Sequence, residues 1–193
     1  MKPWLFLVAL GAIAAPAHAD APSNLREEAS ALAGEFIGQL KPQLKAAMAE
    51  GGPVLAIEVC ATSAPAIADA LSASSGWQVR RVSLRQRNAS RAVPDAWEQT
   101  VLEEFDRRQA SGEPASTLQQ DDWQPVRYRF MQAQETGAIC LACHGENLAP
   151  EVTAALNEYY PQDLARGYQL GQVRGAISLI KTLQQDCGPE VEC

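Results

Sequence analysis

Apolar residues recur every three and four positions over residues 24 to 50. Ala29, Leu32, Ala33, Phe36, Ile37, Leu40, Leu44, Ala47 and Met48 form one stripe, a spacing that predicts a long amphipathic helix. Asn24 with Glu27 has the spacing of a capping box, Gly51 and Gly52 supply a stop, and Pro42 inside the stripe predicts a bend. Beyond the glycines the pattern loses its period. The run "VLAIEV" is apolar and rich in β-branched residues, whereas Pro53 before it suits the first position of a helix. It reads equally as a buried strand or a new helix. A short helix is expected around residues 64 to 72, before the turn residues 74 to 76.

Further on, "WQVRRVSL" (77 to 84) alternates imperfectly and reads as a strand, followed by the loop "QRNASRAVPD". Asp95 and Glu98 repeat the capping-box spacing ahead of Trp97, Val101 and Phe105 on one helical face, with Arg107 and Arg108 in the last turn. "SGEPASTLQQDDWQP" reads as a polar loop, and residues 126 to 131 alternate apolar with Arg as a half-exposed strand. Pro150 opens a helix that Pro161 stops, and residues 172 to 181 form a third strand. Gly167, Gly171 and Gly175 mark turns or close backbone approach. Three strands among helices predict an α+β fold, a small antiparallel sheet with helices packed on one side.

The first nineteen residues have a different character. "MKPWLFLVALGAIAAPAHA" carries one Lys, an apolar stretch shorter than the roughly 20 residues of a spanning helix, and a small-x-small site at Ala17-His18-Ala19. It is expected to be a cleaved secretory signal peptide (1–19), leaving one domain (20–193) in the periplasm, with no later segment long and apolar enough to span a membrane. The chain carries a net charge of −7. Losing Lys2 with the leader makes it more negative, which argues against nucleic acid or anionic membrane surfaces as partners.

Five cysteines in an exported chain are an odd set. Cys140-Leu141-Ala142-Cys143-His144 is the C-x-x-C-H signature of covalent c-type haem attachment: two thiols at this spacing add to the two vinyl groups of one porphyrin, and the adjacent His reaches the iron. A thioredoxin-like dithiol would need a strand directly before the motif, and a zinc site would need further ligands; the sequence favours haem over both. Cys187 and Cys193 stand close enough in the tail to form a disulfide. Cys60 is left over.

With His18 removed, His144 is the only histidine, so bis-histidine ligation by one chain is excluded. The soft residues available for the other side of the iron are Met48, Met131 and Cys60. Met48 lies on the helix stripe and reads as core, Met131 ends a strand near the motif, and Cys60 is either a buried inert thiol or a thiolate ligand.

The segments "AIEVCATSAPAIA", "VRRVSLRQRN", "PDAWEQTVLEEF", "CLACHG" and "YYPQDLARGYQLGQVRGAIS" resemble a family of single-haem c-type domains, the Tll-type haem domains, found as lone exported proteins and as sensor modules. The resemblance spans residues 32 to 179 and implies a PAS-like fold, a long N-terminal helix and flanking helices around a haem pocket. It also implies one haem c attached at Cys140 and Cys143, His144 as the proximal ligand and Cys60 as the distal one. Arg80, Arg81, Arg85 and Arg87 crowd one strand and its exit, where a guanidinium pairs with haem propionates or stands solvated on an edge. Arg87, which with Asn88 keeps the family's loop pattern, is the cofactor-binding candidate. Tyr159, Tyr160 and Asp163 match the family's helix-to-strand junction.

These readings converge on an exported monohaem protein that acts as a redox or gas sensor through a separate redox or signalling partner; the alternative is a periplasmic electron-transfer cytochrome. An enzyme is not expected, because no distal histidine is present to act as acid or base.

Overall fold

The computed structural model describes residues 23–184. The leader and the Cys187–Cys193 pair lie outside that range. The helix α1 runs from Ser23 to Ser75 and departs from helical backbone angles at Gly52 alone (φ 68°, ψ −160°). The chain therefore passes through Pro42 and Pro65 as helix, and the glycine stop seen in the sequence becomes a reversal between two arms. Leu25, Ala29, Ala33, Phe36 and Leu40 of the first arm share one buried cluster with Ala64, Ile67, Ala68 and Leu71 of the second. A straight helix of this length would hold these residues tens of ångströms apart at about 1.5 Å per residue, so the element is a helical hairpin. "VLAIEV" is thus helix, and the short helix expected around 64 to 72 is the end of the same arm.

The sheet has four antiparallel strands in the order β1-β4-β3-β2: β1 Gln78–Val82, β2 Gln119–Gln124, β3 Arg127–Glu135 and β4 Val173–Thr182. β2 falls in the stretch read from sequence as a polar loop. Among the described residues it pairs only with β3, and it carries Asp121 and Asp122, so no apolar alternation betrays it and its charges guard the edge of the sheet. Strand alternation sends Val79, Tyr128, Phe130, Ile177 and Leu179 to the hairpin, with Trp77 edge-on to Tyr128 at 5.9 Å. The opposite face sends Val82, Met131, Ala133 and Ala176 to α2 (Ala96–Ala110), which presents Val101, Leu102 and Phe105. Helices thus cover both faces of the sheet, where the sequence reading had them on one.

The α2 capping box forms as expected: the Asp95 side chain accepts from the Glu98 amide and the Glu98 carboxylate from the Asp95 amide. Glu98 is fully buried because it also accepts from Arg80 and from Ser178 across the sheet. Gly175 has φ 147°, and a Cβ there would overlap the Val82 carbonyl, so the β1–β4 approach requires glycine. Of the remaining helices, α3 (Leu141–His144) is one turn and α4 is Pro150–Tyr159.

Contrary to the expectation from sequence, α1 includes a stretch long and apolar enough, by length and composition, to cross a membrane. Its apolar residues serve two surfaces in this fold, the sheet contact and a cavity wall, which gives it more apolar faces than a helix with one buried side.

Candidate functional site

A 3₁₀ turn (Ala138–Cys140) leads into α3, so both cysteines and His144 fall on little more than one helical turn. That turn is held from two sides. On one, Ile57 of the hairpin and Val152, Ala155 and Leu156 of α4 form a buried cluster against which Cys143, Leu148 and Tyr160 pack. On the other, the loop after α4 pairs with it through its backbone: Gly167 N donates to Gly145 O at 2.9 Å and Tyr168 N to His144 O at 2.9 Å. Gly145 is required here, since a Cβ would stand 2.6 Å from the Leu141 carbonyl oxygen.

A cavity of about 160 Å³, open to solvent, lies between the hairpin and the end of the sheet. Leu40, Leu44, Met48, Ala56, Ile57, Cys60 and Ala64 give it an apolar wall, and Cys140, Cys143 and His144 open onto it. The facing wall is cationic, with Arg81 and Arg87 from β1 and its exit and Arg174 from β4.

The arginines differ in what holds them. Arg80 is bound to Glu98 and the Val93 carbonyl, and Arg85 stacks on Tyr168 with its guanidinium 3.7 Å from the ring centre. Arg87 donates to Asp163 at 3.0 Å, to Ala165 O at 3.0 Å and to Cys143 O, so it clamps the motif turn to the loop. Among the described residues, Arg81 has only the neutral Gln134 side chain as partner, at 3.1 Å. Burial, and next the neighbouring Arg174, push the Arg81 guanidinium down to about 10. The Arg174 Nε is buried without a hydrogen-bond partner. Two cations thus converge on the cavity, and among the described residues no carboxylate lines it, which is an arrangement for an anionic ligand. Arg174 was absent from the sequence reading. Only the β1–β4 register brings it beside Arg81, and no local pattern reports that register.

The His144 ring Nδ1 lies 2.8 Å from Ala165 O. A carbonyl oxygen only accepts, so Nδ1 carries the proton and Nε2 keeps its lone pair. Burial first, then Arg174 and Arg87, hold the imidazole well below its usual range, and it is neutral. Tyr168 stands edge-on to it at 6.1 Å.

The Asp163 side chain is fully buried and binds Arg87, Arg166 and the Ala165 amide. Tyr160 lines the cavity, its hydroxyl pushed up to about 12 by burial and then by Cys60, while Tyr159 is exposed. Burial raises the Cys143 thiol, with Arg87 opposing.

The two methionines exchange places relative to the sequence reading. Met131 is fully buried in the cluster with α2, on the far face of the sheet from the cavity. Met48, read as core, lines the cavity on the same wall as Cys60. Among the described residues no three His, Cys, Asp or Glu gather as a metal site of their own.

The sequence model of the Tll0287-like family matches residues 16–181. A solved structure described as the cyanobacterial heme-protein Tll0287 is similar at 28% identity with a TM-score of 0.62, over 87% of this chain and 100% of that one. No curated protein matches the chain.

Proposed function

The chain belongs to the Tll0287-like family, and from that premise we propose that it holds one covalently attached haem c in the cavity. Cys140 and Cys143 would form the thioethers, and His144 and Cys60 would hold the iron. The observation that carries this reading is the division of the cavity into an apolar wall and a cationic one. A porphyrin has an apolar body and two carboxylates, and Arg81 with the orphaned Arg174 supplies the counter-charge those carboxylates need. The neutral His144, with Nδ1–H donated to Ala165, is the tautomer a metal-bound imidazole requires. A PAS-like architecture fits the strand order β1-β4-β3-β2, and export to the periplasm fits the leader and c-type attachment.

Bound haem supplies one-electron redox chemistry and a position for a small gas. A Cys60 thiolate among the residues that would hold the iron would favour its ferric state, so the reading is a redox or gas sensor that reports to a separate protein and has no turnover of its own. The test is intact mass for one attached haem, then ferric and ferrous spectra with and without CO, on wild type and Cys60→Ala. The expected result is one haem, a ferric low-spin spectrum changed by Cys60→Ala, and CO binding to the ferrous form. A ferrous form that refuses CO would favour plain electron transfer. An unchanged ferric spectrum in Cys60→Ala would remove Cys60 from the iron and pass the role to Met48, the other soft donor on that wall.

A further inference from the structure

We propose that Arg87, held by Asp163, sets the strength of His144 as an iron ligand by donating to the carbonyl oxygen that receives its ring proton. This rests on His144 being the ligand. Ala165 O accepts two hydrogen bonds, from His144 Nδ1 at 2.8 Å and from Arg87 Nη2 at 3.0 Å. A carbonyl oxygen has two lone pairs, so both are used and the imidazole and the guanidinium compete for one acceptor. The same Nη2 also reaches Cys143 O, the carbonyl of the residue before the histidine. Asp163 fixes the arrangement. Its Oδ1 binds Arg87 Nε at 3.0 Å and the Ala165 amide at 2.9 Å, so one carboxylate positions both the cation and the acceptor. The pair is sheltered, with side-chain exposures of 13% for Arg87 and 0% for Asp163, so solvent does little to screen it.

The consequence has a definite sign. A ring N–H that donates strongly makes the imidazole more basic and a better donor to iron. A cation bound to the same carbonyl draws electron density from it and weakens that effect, and a nearby positive charge also favours the reduced iron. Removing Arg87 therefore strengthens His144 as a donor and lowers the reduction potential, both contributions acting in one direction. Arg87 is a positioning residue here; it acts through Ala165 and not on the iron.

The experiment uses the holoprotein, wild type beside Arg87→Met and Arg87→Lys, with haem attachment checked by intact mass. A wild type without haem overturns the haem reading itself. With haem attached, the expected result is a lower potential in Arg87→Met with a narrower spread of ferric electron paramagnetic resonance g values, and Arg87→Lys between it and wild type. Wild-type potential and g values in Arg87→Met overturn the proposal, as does a wider or broadened g spread, the mark of a histidine merely set loose. If Arg87→Met does not load haem, Arg87→Lys decides by the same two readouts.

Discussion

Arg81 is the residue at which the fold and its ligand place opposite demands, and Arg81→Met separates them. The guanidinium is pushed from its ordinary value down to about 10 by burial and by Arg174. At about 1.4 kcal/mol per pH unit of displacement, the buried charge costs the ligand-free fold about 3 kcal/mol. Replacement also removes the 3.1 Å hydrogen bond to Gln134, worth about 1 kcal/mol net. The haem-free chain, produced without residues 1–19, should therefore gain about 2 kcal/mol, a rise of about 1 M in urea midpoint for a slope of about 2 kcal/mol/M. Hemin titrated onto the same haem-free chain should bind more weakly, because a charge-assisted hydrogen bond of about 1.5–3 kcal/mol is lost, roughly a 10- to 100-fold change. A variant that unfolds at lower urea than wild type would refute the reasoning, since it would mean that the fold itself compensates this cation. Unchanged hemin affinity would show that Arg81 does not meet the ligand's carboxylates.

Two further outcomes follow from the buried charges. Glu98→Ala leaves Arg129 buried with Asp95 as its remaining carboxylate, and takes the acceptor from Arg80 and Ser178. Breaking such a network should cost about 3–5 kcal/mol, read as a lowered urea midpoint with the haem content per folded chain unchanged. Acid should also destabilise the chain. Burial raises Asp163, but hydrogen bonds from Arg166, Arg87 and the Ala165 amide more than offset it, and Asp95 is likewise lowered against burial by the Glu98 amide and Arg129. For a carboxyl lowered on folding, the stabilisation is present above its unfolded value of about 4 and is lost as pH falls through the folded value. Urea midpoints should therefore fall steeply below about pH 4. Asp106, raised by burial, works in the opposite direction at higher pH. A midpoint independent of pH between about 5 and 3 would contradict this account.

The elements legible in the sequence are those whose signal is local. The stripe from Ala29 to Met48, the Asp95 capping box and the Pro150 start of α4 each depend on neighbours a few residues away, and each is found in the fold. The strands read at 126–131 and 172–181 are present as β3 and β4, but β3 is not half-exposed: helices on both faces bury Tyr128 to Met131, Arg129 included. The thiols and histidine of the motif were legible for the same reason, since their chemistry is written in consecutive positions. β2 was missed because a polar edge strand with no apolar face has no period to read; its strand character comes from β3 beside it.

What the sequence determined on its own is the local helix and strand pattern, the C-x-x-C-H motif and a single histidine beyond residue 19. The tertiary structure decided which side chains meet. Gly52 folds the apolar helix back on itself, and that brings Met48 and Cys60 to one wall. The β3 register turns Met131 away to α2, and the pairing of β1 with β4 sets Arg174 beside Arg81. The loop after α4 changes Arg87 from one of several exposed-looking cations into a clamp on the histidine's acceptor. Each of these contacts joins residues far apart in the chain, and only chain reversal and strand register fix them. A pattern with a period of two or 3.6 residues carries no information about either.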